Sequence, residues 1–320
     1  MKAICQDKYG SPDVLELRDV DKPSPGADGV LVRVRASSVN ALDWHIMRGQ
    51  PYVMRVTSLR RPEVALRGVD VAGVVEAVGS DVTDLRPGDE VFGVADGAFA
   101  EWVAGKAINY VAKPASLSFE QAAALPVAGI TALQGLRDKG QVRAGQTVLV
   151  TGAGGGVGTF AVQIARALGA QVTATTSPQN LELVRSLGAE RVLDYTREDL
   201  AEGDRRYDVI FDVAASQPLS RLVRALAPEG RLVLAGGAKG RWAGPILRFV
   251  AGVLRSRLRG QRIVPFMAKI GREDLLALAA LVETGKVHPV IDRTFPLRDA
   301  AEAMRYVETG RARGKVVITI

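Results

Sequence analysis

Cysteine is almost absent from these 320 residues: Cys5 stands alone, with only two histidines, His45 and His288. A single thiol cannot close an internal disulfide, and so few thiol and imidazole donors leave out any multi-thiolate metal site. Aromatic residues are scarce at 5%, and no apolar run approaches the roughly 20 residues that a membrane-spanning helix needs. Low-complexity segments are missing too. With 47% hydrophobic and 24% charged residues, the composition excludes a disordered chain and allows two compact lobes. Met1-Lys2-Ala3-Ile4-Cys5 runs straight into strand-like sequence in place of a secretory leader, so a cytoplasmic location is expected.

What the chain has in plenty is glycine, most densely in Thr151-Gly152-Ala153-Gly154-Gly155-Gly156-Val157-Gly158. This turn follows the apolar run Thr147-Val148-Leu149-Val150 and opens a helical pattern on Val157, Ala161, Ile164, Ala165 and Leu168, which Gly169 stops. Glycines let the main chain approach a pyrophosphate where any Cβ would collide, and amides at a helix N-terminus bind anions. The spacing of Gly152, Gly155 and Gly158 is G-x-x-G-x-x-G, so the pattern alone is a weak signal. Context strengthens it: strand Gln171 to Thr176 follows, then Ser177 and Pro178 at the start of a second helix with Leu181, Val184 and Leu187 buried. A glycine-rich surface loop is the competing reading, and two consecutive βαβ units tell against it.

The second strand ends Thr175-Thr176-Ser177 with no carboxylate before Glu182. An NAD site places an acid there for the ribose diol. Hydroxyls, with Arg185, Arg191 and Arg197 further on, suit a 2′-phosphate instead, so NADP(H) is the expected cofactor, with use of NAD left open.

Positive charge is in excess, at +7, and much of it sits in one stretch. Arg241, Arg248, Arg255, Arg257, Arg259 and Arg262 alternate with Ile246, Phe249, Val250, Val253, Leu254 and Leu258 as a basic amphipathic helix. Packing on its own domain or on a twin subunit is the expected use; weak membrane-surface contact, or a cap over a lipophilic substrate, are the alternatives. Specific nucleic-acid binding is not expected.

Residues 1 to about 115 lack helical periodicity and suggest an antiparallel barrel, with the clearest strands at Gly29 to Ser38, Val69 to Gly79, Asp89 to Val94 and Phe99 to Val103. From Ser118 the pattern turns helical. After the βαβ units come strand Tyr207 to Val213, a helix ending near Pro228-Glu229-Gly230, and strand Arg231 to Ala235. Helices at about Glu273 to Glu283 and Arg298 to Glu308 surround a strand near Val290, and Lys315 to Ile320 forms a last strand. The expected division is 1–118 with 288–320 as one domain and 119–287 as the dinucleotide-binding domain.

"VNALDWHIMRG", "VDVAGVVEAVGSDVTDLRPGDEVFG", "AAALPVAGITAL", "GAGGGVGTFAVQIARALGA" and the final "GKVV" resemble the medium-chain dehydrogenase/reductase superfamily. They are most similar to its zinc-independent quinone oxidoreductases, and among these to the reticulon-interacting NADPH oxidoreductases. The resemblance implies an α/β fold: a GroES-like antiparallel β-barrel lobe plus a doubly wound parallel-sheet Rossmann domain. It places Asn40, Val69 and Val127 where zinc-dependent relatives carry ligands, so no zinc is expected. Without a Lewis acid, hydride transfer from NADPH to a quinone or α,β-unsaturated carbonyl is the implied reaction, on a small lipophilic electrophile. A broad alcohol or aldehyde dehydrogenase and a non-catalytic NADPH-sensing or nucleic-acid-binding protein are the alternatives.

The same resemblance assigns residues. Asn40 would face the nicotinamide and donate to a substrate oxygen, or else merely stabilise a turn. Tyr52 matches an active-site tyrosine if one residue is inserted near Met47, and His45 is a proton-relay candidate whose bland reading is structural. Asp43 reads as a buried structural carboxylate. Thr131 would lie beside the nicotinamide; Gly152, Gly154, Gly155, Gly156 and Val157 would face the phosphates; Thr176, Ser177 and Tyr195 would meet the adenosine end. Asn180 stands where relatives often carry lysine. Ala214, Gly236 and Gly237 would approach through main chain, and Lys315 would reach the cofactor or remain a solvated strand-start residue. Exposed edge strands imply a homodimer.

Overall fold

The structure is a computed structural model that describes residues 1–50, 52–55, 62, 65–200, 205–235 and 260–320. It divides into two units: Met1–Ile130 with Lys269–Gly285 and Pro289–Ile320, and Thr131–Ala268 with Lys286–His288.

In the first unit, β1 (Lys2–Cys5) pairs antiparallel with β2 (Glu16–Asp19). The main sheet is built on β3 (Gly29–Val39), whose Val30, Val32 and Val34 recur at the two-residue strand period and are buried together. They pack with Val71 and Val75 of β4 (Asp70–Val78) and Val91 of β5 (Glu90–Val94). β6 (Trp102–Lys106) pairs with β3, and β7 (Tyr110–Ala112) pairs with β5. The strand expected at Phe99 begins only at Trp102. Phe99 is instead fully buried, its N–H donating to Arg67 O and its carbonyl accepting from Ile4 N, which holds it in an irregular crossing. Helix Ala41–Arg48 follows β3 and stops at Gly49, whose φ of +58° favours glycine.

The second unit carries β8 (Thr147–Thr151), β9 (Gln171–Thr176), β10 (Arg191–Asp194), β11 (Tyr207–Asp212), β12 (Leu226–Leu234) and β13 (Arg262–Pro265). All are parallel, in the order β10-β9-β8-β11-β12-β13, so the winding reverses between β8 and β11. Ligands of such sheets bind outside the carboxyl ends at that reversal. Helix Gly156–Ala167 buries Phe160, Ala161, Ile164 and Ala165 against this sheet, and Gly169 (φ +81°) ends it as its position suggests. The helix expected to reach Pro228 ends at Ala225, because Leu226 already pairs with Tyr207 and β12 shifts register before Arg231 meets Val209.

The chain then returns to the first unit: β14 (Ile291–Pro296) lies parallel to β15 (Lys315–Thr319), which pairs antiparallel with β3. Helix Arg272–Glu283 also falls in this unit, whereas the sequence groups it with the dinucleotide domain. Its Arg272 guanidinium explains the placement, pairing with Asp84 at 2.5 Å and donating to the carbonyl of Tyr110 at 3.1 Å. The basic stretch from Arg241 lies outside the described residues except at its end. No helix among the described residues is long and apolar enough to cross a membrane.

Candidate functional site

In the second unit the glycine turn leaves β8 at the sheet reversal. Gly152 takes φ +67°, and a Cβ built on it would meet Ala214 Cβ at 2.7 Å, so Ala214 of the β11 loop packs directly over the turn. Gly155 N donates to Gly152 O at 3.1 Å, and Gly155 is the N-cap of helix Gly156–Ala167. A Cβ on Gly158 would stand 2.1 Å from Gly152 O; only glycine permits that closeness of helix and turn. A Cβ on Gly155, by contrast, would meet nothing nearer than Gly152 O at 3.6 Å. The turn therefore presents bare backbone to open space above a helix N-terminus, a cradle that fits a pyrophosphate. Thr151 Oγ1 donates to Asp212 Oδ1 at 2.6 Å and accepts from Val213 N, tying the two strand ends together. Ala215 beyond them holds φ +50°, a strained value for a residue with a side chain.

Thr176 ends β9 and is buried. Ser177 precedes the 3-10 turn Pro178–Asn180 in extended backbone, but its side chain caps nothing. Asn180, noted in the sequence only as a missing lysine, lies against Gly154. Tyr195 is 41% exposed and donates its main-chain N–H to Thr176 O. Thr131 lies in helix Pro126–Gln134. Gly236 and Gly237 are outside the described residues. A separate hollow of about 590 Å³ beside Arg206, Arg224 and Gln261 opens at the N-terminal ends of β11 to β13, the end away from the glycine turn.

The first unit holds a buried polar cluster that the sequence did not reveal. Asp70, wholly buried at the start of β4, accepts from Asn40 Nδ2 at 2.7 Å, from Val127 N at 3.0 Å and from Ser38 Oγ. Lys315, 3% exposed, donates to Asn40 Oδ1 at 2.6 Å and stands 3.4 Å from Asp70. Its ammonium is thus committed inside this unit, to Asn40 and Asp70 instead of to the cofactor or solvent. Asn40 and Val127, which the resemblance matches to ligand positions of zinc-dependent relatives, both donate to Asp70. Among the described residues no three His, Cys, Asp or Glu side chains gather into a metal-ligand group.

Asp43 Oδ2 accepts the Asn40 N–H at 2.8 Å, and burial pushes its carboxyl up to about 7. His45 is half-buried with Nδ1 2.7 Å from Gln50 O; a carbonyl only accepts, so Nδ1 carries the hydrogen and Nε2 is left as an acceptor. Burial lowers its pKa, which favours that neutral form. Tyr52 stands on the 3-10 turn Tyr52–Arg55 with the Arg55 guanidinium 4.8 Å from its ring centre. The same guanidinium lies over Tyr9 at 4.4 Å and donates to Gly49 O and Arg48 O.

A doubly wound parallel sheet with a glycine cradle at its reversal, joined to an antiparallel unit that the C-terminal strands complete, defines a dinucleotide-dependent medium-chain oxidoreductase. Residues 26–115 match the family described as alcohol dehydrogenase GroES-like domain, and residues 187–318 match that described as zinc-binding dehydrogenase. The chain is 36% identical to 2-methylene-furan-3-one reductase of Solanum lycopersicum, over 99% of its own length and 79% of that protein. It is 35% identical to the NADPH-dependent alkenal/one oxidoreductase, chloroplastic, of Arabidopsis thaliana, with the same coverage. The solved quinone oxidoreductase of Coxiella burnetii superposes with a TM-score of 0.88 at 32% identity, covering 100% of this chain and 99% of that one. The chain belongs to the quinone-oxidoreductase-like branch of the medium-chain dehydrogenase/reductase superfamily.

Proposed function

We propose that this protein is an NADPH-dependent reductase that acts on quinones or α,β-unsaturated carbonyls and needs no metal ion. The observation that carries the reading is the glycine cradle, with bare Gly155 backbone facing open space at the sheet reversal. The alkenal/one and quinone activities in the names of similar proteins direct it to electrophilic carbonyl substrates.

Bound NADPH supplies the hydride. The chain's part is to hold and orient. The main chain at Gly152, Gly154, Gly155, Gly156 and Val157 takes the pyrophosphate. Thr176, Ser177, Asn180 and Tyr195 surround the adenosine end, and Thr131 with the Ala214 main chain serves the nicotinamide end. On the substrate side, Asn40 offers the second hydrogen of Nδ2, whose nearest acceptor is Ser38 O at a long 3.4 Å, while Asp70 and Lys315 hold its carboxamide in one orientation. Such a preorganised donor stabilises an oxyanion at no cost in reorientation. Tyr52 supplies a phenol donor or a stacking face, and His45 supplies Nε2 as a relay atom. The homodimer and the cytoplasmic location belong to the same proposal.

The test follows NADPH absorbance with quinones, enones and aldehydes, with and without a chelator, and runs simple alcohols with NADP⁺ in parallel. Chelator-resistant turnover of a quinone or enone is expected. Activity abolished by EDTA, or confined to alcohol oxidation, would overturn the reading.

A further inference from the structure

Arg55 joins two tyrosines to the end of one helix. Its guanidinium carbon lies 4.4 Å from the ring centre of Tyr9 and 4.8 Å from that of Tyr52. Its Nε donates to Gly49 O at 2.9 Å, and its Nη2 donates to Arg48 O at 2.8 Å. A planar fork that donates along its edge keeps its faces for aromatic rings, a combination that a lysine ammonium cannot reproduce.

The local chain builds this arrangement. Helix Ala41–Arg48 leaves its last carbonyls without intrahelical donors, and a cation is favoured at that end. A Cβ built on Gly49, which turns the chain there, would stand 2.5 Å from Arg55 Nε and 2.6 Å from Tyr9 Cδ1, so guanidinium and ring pack directly on the glycine. The segment that carries Tyr9 is tied to the same helix end: Met47 O accepts from Gly10 N at 3.1 Å and from Gln6 Nε2 at 2.7 Å. The helix itself carries His45 and has Asn40 as its N-cap. Tyr52 lies outside it, on the four-residue 3-10 turn that Arg55 completes. Such turns are short and poorly bonded, so a tie from outside decides where the ring stands.

We infer that Arg55 is a positioning residue of the substrate side, holding the Tyr52 ring, with Tyr9 beside it, in a fixed relation to the helix that bears Asn40 and His45. It acts through the ring and not on the reacting atoms. The inference rests on the reductase reading above and deepens it.

Steady-state kinetics with a quinone and with an enone, on the wild type, Arg55→Ala, Arg55→Lys, Tyr52→Ala and the Arg55→Ala/Tyr52→Ala double variant, test it, with thermal melts as the fold control and NADPH titration as a second readout. Arg55→Ala lowers kcat/KM by about tenfold or more, because the misplaced ring no longer meets the substrate. NADPH affinity stays within about twofold of wild type. Arg55→Lys keeps a cation beside the rings and recovers part of the loss. Once Tyr52 is replaced by alanine, removing Arg55 costs less than about twofold more, since the ring it acts through is gone. An arginine that served the fold alone would lower melting temperature and coenzyme affinity together, and its loss would multiply with that of Tyr52. If Arg55→Ala fails to melt cooperatively, Arg55→Lys and its double variant with Tyr52→Ala carry the comparison. Losses that multiply, unchanged kinetics in the folded Arg55 variants, or a Tyr52→Ala variant as active as wild type would overturn the inference. If the wild type reduces neither a quinone nor an enone, the reductase reading itself fails and takes the inference with it; if it reduces them and only the variants disagree, that reading stands alone.

Discussion

Lys315 Nζ stands 2.6 Å from Asn40 Oδ1, while the amide nitrogen of the same carboxamide stands 2.7 Å from Asp70 Oδ2. An ammonium and a carboxylate thus grip the two ends of one amide inside the first unit. Lys315 is 3% exposed and Asp70 wholly buried, so removing the cation leaves the anion uncompensated. Lys315→Ala is expected to lower unfolding free energy by about 3 kcal/mol, near the lower end for a broken buried pair because Ser38 and Val127 still donate to Asp70. Adding Asp70→Asn to Lys315→Ala should restore part of the loss. Urea unfolding of the single and double variants checks this; strictly additive losses would contradict the coupling.

Asp43 should make stability depend on pH in the direction opposite to most carboxylates. Burial is the main reason its carboxyl moves from 3.8 up to about 7, with Asp70 adding to the rise and the Asn40 N–H opposing it. A carboxyl with the higher pKa in the folded state binds its proton more tightly there. Its stabilising effect is complete below about pH 4 and is lost as pH rises through about 7. The loss is on the order of 4 kcal/mol for a shift of this size. Asp43→Asn removes the titration and keeps an acceptor for Asn40 N, so its stability should be flatter across that window. Denaturant melts of both proteins at several pH values decide; parallel curves would refute the assignment.

Gly155 and Gly158, close in sequence but different in surroundings, should fail differently. Gly155→Ala adds a methyl where the chain has nothing closer than 3.6 Å, and the backbone there (φ −90°) suits any residue. Folding should be intact, and NADPH affinity should fall by about tenfold or more as the methyl enters the anion cradle. Gly158→Ala drives a methyl to 2.1 Å from Gly152 O, a main-chain atom that cannot swing aside. It should destabilise by about 3 kcal/mol. Thermal melts paired with coenzyme titration separate the two, and equal melting points would count against the packing role of Gly158.

The features legible in the sequence are those set by local rules. The glycine turn, the stop at Gly169 (φ +81°) and the apolar stripe from Val157 all follow from neighbours within a few residues. The return of β15 to β3 could be anticipated from the order of elements. Lys315 could not be placed, because its partners Asn40 and Asp70 lie 275 and 245 residues away and a lysine at a strand start ordinarily faces water. Asp70 was hidden for a related reason: it opens β4 in an otherwise apolar run, and only the fold turns its carboxylate toward Asn40. Asn180 was visible as a departure from a familiar pattern, but its packing against Gly154 depends on where the side chain points. Position in the chain groups the Arg272 helix with the dinucleotide domain, while its contacts with Asp84 and Tyr110, far away in sequence, lie in the other unit.

Thr151 offers a last test, since its hydroxyl fastens the sheet reversal on which the cradle rests. It donates to Asp212 Oδ1 at 2.6 Å and accepts from Val213 N at 3.2 Å, joining the ends of β8 and β11 just below Gly152 and Ala214. Thr151→Val keeps the shape and the strand propensity but removes both bonds, at an expected cost of about 2 kcal/mol because one partner is a buried carboxylate. Ala214 packs on Gly152, so loosening the β11 end should also reduce NADPH affinity. Thr151→Ser retains the hydroxyl and should keep both properties close to wild type. A valine variant with unchanged melting temperature and coenzyme affinity would mean that packing alone holds the two strand ends.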